Sequence, residues 1–98
     1  MTHPSLSDIV EAVSGEYQVP ASVIMAKDMR TLAVTHARHV AQYLACTLTF
    51  MSKDNIAKAF NQRDHSAVFY ALNKISKQVS DDEAVRGRIN HLRDVLSK

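Results

Sequence analysis

The stretch FNQRDHSAVFYALNKI, residues Phe60–Ile75, decides the fold. Within it Val68, Ala71, Leu72 and Ile75 recur at helical spacing, and Val79 extends the stripe. An amphipathic helix is therefore expected from Asp64 to about Val79, with Asp64 as its N-cap. Just upstream, Ser52 is placed to cap a short helix over Lys53–Phe60, with Ile56, Ala57 and Phe60 inward. Asn61 falls between the two helices, where a tight turn often needs a left-handed backbone. Asn tolerates that conformation better than most residues other than Gly. Two helices joined by so short a turn have helix-turn-helix proportions.

Working outward, Ala37, Val40, Ala41, Leu44 and Leu48 form one apolar stripe, which predicts a helix over roughly Ala37–Thr47. Residues 27–36 show no period and read as a loop. Leu6, Ile9, Val10 and Val13 place a first helix over Ser5–Glu16, with Gly15 near its end. Pro20 suits the first position of a short helical turn carrying Val23, Ile24 and Met25. Ser80 and Glu83 bracket SDDE as a capping box for a last helix that runs to about Ser97. That helix buries Val85, Ile89, Leu92 and Leu96, and Gly87 inside it lowers its propensity. The chain reads as all-α, with about five or six helices in one domain spanning residues 1–98.

With 98 residues, of which 46% are hydrophobic and 22% charged, the chain can bury one core and has little volume left for a deep substrate cavity. Cys46 is the only cysteine, so an internal disulfide and a cysteine-built zinc site are excluded. The start, MTHPSLSDIVEAV, has no signal-peptide pattern, and no apolar run is long enough to span a membrane. A soluble cytoplasmic setting is expected. Net charge is +2, but its distribution is uneven. Residues 27–77 carry eight Lys and Arg against three acids, while the two ends carry four against seven. A basic middle between acidic flanks suits a polyanion-facing surface, and equally an ordinary solvated one.

The cluster Arg63-Asp64-His65-Ser66 contains the residue types of a catalytic triad. Consecutive helical residues point about 100° apart, however, and do not converge as nucleophile, base and orienter must. His36 and His39 lie three apart and can share a helix face, but no third metal ligand is set by spacing. No enzyme activity, metal or cofactor is expected. The same cluster is well suited to reading DNA, because the first residues of the second helix of a helix-turn-helix enter the major groove. Arg63 can contact guanine bidentately or bind phosphate, Asp64 can accept from a cytosine amino group, and His65 and Ser66 can bond base edges or phosphate. Lys53 and Lys58 precede the cluster, and Lys74 and Lys77 follow it. The plainer alternative is that Arg63 pairs with Asp64 and the rest is solvated.

These residues resemble the C-terminal DNA-binding domain of the DnaA family, the bacterial chromosomal replication initiators. The family signature Gly-Gly-Arg-Asp-His-Thr-Thr-Val stands here as Asn61-Gln62-Arg63-Asp64-His65-Ser66-Ala67-Val68, followed by Ala71, Lys74 and Ile75. The family helix Arg-Gln-x-Ala-x-x-Leu-Ala-x-x-Leu-Thr resembles Arg38 through Thr49, and its Ser-x-x-x-Ile resembles Ser52 through Ile56. The resemblance implies a Trp-repressor-like helical fold that binds double-stranded DNA at DnaA boxes. It assigns major-groove reading to Arg63, Asp64, His65 and Ser66, the minor groove to Arg30, and the groove edge to Arg38. His39, Lys53 and Lys74 are expected as further DNA contacts.

This sequence also departs from the family. The basic loop is thinned to Lys27-Asp28-Met29-Arg30-Thr31-Leu32, His39 replaces a Gln, Ala67 replaces the second Thr, and Asn61-Gln62 replaces the glycine pair. Each lost phosphate contact lowers the salt slope by about 0.9, so weaker or altered binding is expected. No phosphate-loop motif is present, and a stand-alone, monomeric, nucleoid-associated domain acting on replication or transcription is expected. The alternative is a protein-interaction module for the initiator or its regulators, with DNA binding decayed.

Overall fold

The computed structural model describes residues 3–26 and 31–97. These form six helices: α1 (Leu6–Tyr17), α2 (Ala21–Met25), α3 (Leu32–Leu48), α4 (Lys53–Ala59), α5 (Ser66–Asp81) and α6 (Glu83–Leu96). The all-α reading holds. Helix α3 is the hub: α1, α2, α4 and α5 pack on it, and α6 closes the side between α1 and α5. One hydrophobic cluster draws on all six helices, through Ile9, Ile24, Leu44, Ile56, Ile75 and Ile89 among others. Because α3 is surrounded, its buried residues run nearly all round it and include Arg38 and Gln42.

Several helix boundaries differ from the sequence reading, and capping explains most of the differences. Helix α3 starts at Leu32, inside the expected loop, where Thr31 Oγ1 accepts from the Val34 N–H at 3.3 Å. Periodicity hid this turn because its apolar residues do not share a face: Leu32 is 90% exposed while Val34 is buried. Helix α1 passes through Gly15 to Tyr17, and Gln18 takes the left-handed exit at φ 58°. The start of α1 is a capping box: Ser5 Oγ accepts from the Asp8 N–H, and the Asp8 carboxylate accepts from the Ser5 N–H, both at 3.1 Å. Pro20 is the N-cap of α2 rather than its first residue.

The expected box at Ser80 does not form. Helix α5 runs on to Asp81, and the single extended residue Asp82 separates it from α6. Asp82 Oδ1 accepts from the Ala84 and Val85 N–H groups at 2.9 and 3.3 Å. A carboxylate that takes two donors at the positive end of a helix displaces the serine cap. Arg86 completes the corner by donating from Nε to the Val79 carbonyl at 2.9 Å.

Gly87 lies inside α6, and a Cβ added there meets nothing within 4 Å. Gly87→Ala is therefore expected to stabilise the fold by about 0.8–1 kcal/mol, through helix propensity alone. A thermal melt followed by circular dichroism should show a rise of ~4–8 °C.

Candidate nucleic-acid interface

The short Ser52-capped helix α4 ends in a Schellman motif. The Gln62 N–H donates to the Ala57 carbonyl at 2.9 Å, and the Asn61 N–H to the Lys58 carbonyl at 3.1 Å. The motif needs one left-handed residue, and Asn61 supplies it at φ 59°. The Asn61 side chain also donates from Nδ2 to the Met25 carbonyl at 3.0 Å, which ties the turn to the end of α2. The turn expected of a glycine pair is thus made by Asn-Gln. Asn61→Ala is expected to destabilise by ~1–2 kcal/mol, since Ala bears the left-handed cost without the side-chain bond. Asn61→Gly should lose less, and chemical denaturation of the two variants distinguishes them.

From this turn Arg63, Asp64, His65 and Ser66 emerge at the start of α5, all exposed. The Asp64 carboxylate accepts from the Ser66 N–H at 2.8 Å. That bond, then the Ser66 hydroxyl, holds the Asp64 carboxyl below the usual carboxylate range. The N-cap expected at Asp64 falls instead on His65, whose side chain makes no capping bond; α5 starts at Ser66, and Asp64 takes only the first N–H of the helix. His65 Nδ1 lies 2.7 Å from Asp54 Oδ1, fastening the start of α5 to α4. Among the described residues Arg63 enters no ion pair, so the pairing with Asp64 considered above is not formed. An open groove of about 690 Å³ runs between this cluster and the N-terminal half of α3, lined by Thr35, Arg38, His39, Gln62, Arg63 and Asp64 among others.

Of the remaining expected contacts, Lys53 at the start of α4 has Nζ 5.0 Å from the Phe69 ring centroid, and Lys74 within α5 has Nζ 5.8 Å from that of Tyr70. Arg30 lies outside the described residues. Arg38 turns inward: it is 6% exposed, and its guanidinium donates to the carbonyls of Ile24 (2.8 Å), Val23 (3.1 Å) and Ala26. A groove-edge position thus belongs to a side chain held by the backbone of α2. The C-terminal end of a helix leaves its last carbonyls without intrahelical donors, and its negative dipole end favours a cation, which is why the buried guanidinium settles there.

His39 lies edge-on to Tyr70, with centroids 5.6 Å apart, and His36 lies edge-on to Tyr17 at 5.2 Å. The two rings have separate partners, and among the described residues no group of three or more candidate ligands could hold a metal. Burial, followed by the Lys74 charge, pushes His39 down to about 4. In the free protein it is therefore neutral near pH 7. Its Nδ1 is buried without a hydrogen-bond partner among the described residues. With the folded value below the ordinary ~6.5, the unfolded chain binds a proton first. Stability from His39 is therefore present above pH ~6.5 and lost as pH falls toward 4. His39→Gln should flatten the fall in melting temperature between pH 7 and 4.5 relative to the parent chain.

Sequence reasoning missed Phe69 and Tyr70, which stand exposed on α5 beside Lys53, His65, His39 and Lys74. The available signal was that both lie off the Val68–Ala71–Ile75 face.

Helices α4 and α5, docked on α3, form a helix-turn-helix, the unit that offers the first turn of its second helix to the DNA major groove. The family model described as the bacterial DnaA protein helix-turn-helix matches residues 6–75. The chromosomal replication initiator protein DnaA of Rhodopseudomonas palustris (strain BisA53) is 37% identical over 93 residues, which cover 95% of this chain and 19% of that relative. The chain belongs to the bacterial DnaA helix-turn-helix family.

Proposed function

We propose that this chain, acting as one unit, binds double-stranded DNA selectively at DnaA-box-like sites and so modulates replication initiation or nearby transcription by binding alone, without hydrolysing ATP. The observation that carries this reading is the presentation of Arg63. It is exposed at the start of α5, enters no ion pair among the described residues, and follows a turn whose geometry Asn61 enforces. The Asp64 carboxylate accepts from the Ser66 N–H, while His65, tied through Nδ1 to Asp54, and Ser66 stand exposed beside Arg63. Lys53 and Lys74 add positive charge on either side for phosphate.

The test is fluorescence-anisotropy titration of a duplex holding a DnaA box against a scrambled duplex, over a salt series. Box-selective binding with a linear log–log salt slope is expected. Equal affinity for both duplexes would defeat the reading.

A protein-interaction module for the initiator or its regulators has one observation in its favour. Phe50 is 87% exposed, meets His3 edge-on at 4.6 Å, and borders a groove with Leu48, Arg93 and Leu96 past the other end of α3. Unselective DNA binding together with capture of the initiator that Phe50→Ser abolishes would favour this alternative.

A further inference from the structure

We propose that Phe69 is a specificity-determining residue that reads the C5-methyl group of a thymine in the major groove. This rests on the reading of α5 as a major-groove helix. Phe69 lies one turn beyond His65 on the same face of α5, with ring centroids 5.4 Å apart. It is 44% exposed, although it sits on a helix whose buried side is already filled by Val68, Ala71 and Ile75. Its neighbours along that outer face, Ser66, Asn73 and Ser76, are small and polar, so the ring projects beyond them. Lys53 reaches over the ring from α4 and places a cation beside the apolar surface.

A phenyl ring has no hydrogen-bonding atom, so it gains nothing from a phosphate and cannot match the donors and acceptors of a base edge. The thymine C5-methyl is the one methyl group in the major-groove code, and apolar side chains are its recognised partners. Packing that methyl on Phe69 removes both surfaces from water. A guanine, adenine or cytosine edge at the same place would leave the ring against polar groups.

The experiment compares a DnaA-box duplex with the same duplex carrying deoxyuridine for every thymidine, which deletes only the methyl groups. For the parent chain, affinity is expected to fall about fourfold for each methyl contacted. Phe69→Ala is expected to bind the thymidine duplex more weakly and to show a smaller thymidine-to-uridine ratio than the parent, by about that factor. Phe69→Leu, which keeps apolar surface, should retain most of the ratio. Circular dichroism melts establish that each variant is folded. An unchanged ratio in Phe69→Ala, or a parent chain indifferent to uridine, overturns the proposal while box-over-scrambled selectivity leaves the functional reading intact. A parent chain with no box selectivity overturns both.

Discussion

Arg63→Ala is expected to lose selective DNA binding while melting within a degree or two of the parent chain. The side chain is exposed and, among the described residues, enters no ion pair, so little folding energy depends on it. A bidentate arginine–guanine contact is worth about 1–3 kcal/mol of discrimination, or roughly 5- to 150-fold in affinity. The loss should fall on the box duplex and spare the scrambled one, since the lysines on either side still meet phosphate. Arg63→Lys sharpens the test. Lysine keeps the charge but not the planar fork, so the salt slope should persist while selectivity drops. Parental box preference in Arg63→Ala would show that this residue does not read the base.

Arg38→Ala is expected to act in the opposite way, through the fold. Three backbone carbonyls, two in α2 and one on the residue that follows it, converge on its guanidinium in a nearly closed environment. Hydrogen bonds to a charged donor contribute about 1.5–3 kcal/mol each, and truncation leaves buried acceptors unsatisfied. A loss of ~2–4 kcal/mol is expected, with a fall in melting temperature of ~10–30 °C for a chain of this size. Lysine cannot reproduce two nitrogens aimed at three oxygens, so Arg38→Lys should recover only part of this. A melting temperature unchanged by Arg38→Ala would remove the buried role. Any loss of DNA binding in Arg38→Ala must therefore be read at a temperature where the variant is folded.

Apolar spacing and side-chain caps made most of the helices legible in the sequence. Ser52 caps α4 as expected, with Oγ accepting from the Asn55 N–H at 3.1 Å, and Asn61 takes the left-handed turn. The spacing failed where the apolar residue faces solvent, as at Leu32, and where two acids compete with a serine for one helix start, as at Asp82. Residue type also located the Arg63–Ser66 cluster. It did not reveal which arginine points out and which points in, because Arg63 and Arg38 differ only in whether open carbonyls lie within reach. Those carbonyls lie in α2 and on the residue that follows it, distant in sequence from Arg38. Phe69 and Tyr70 were hidden for a related reason: aromatic residues in a helical segment suggest core, and only the packed structure shows that Val68, Ala71 and Ile75 already fill it.

The polar grip on the end of α2 has a genetic consequence. Both Arg38 and Asn61 hold main-chain oxygens, those of Val23, Ile24, Ala26 and Met25, and none of the side chains there. Every amino acid carries the same carbonyl, so exchanges at the exposed or half-exposed positions of α2 leave the grip unaltered, and drift there should be nearly silent. The converse is stricter. A strain carrying a defective Arg38 or Asn61 cannot be rescued by a compensating codon among the acceptor positions, because no codon changes a carbonyl. Suppressors should map elsewhere in the core, and their absence from residues 23–26 would mark the contact as one made through the backbone.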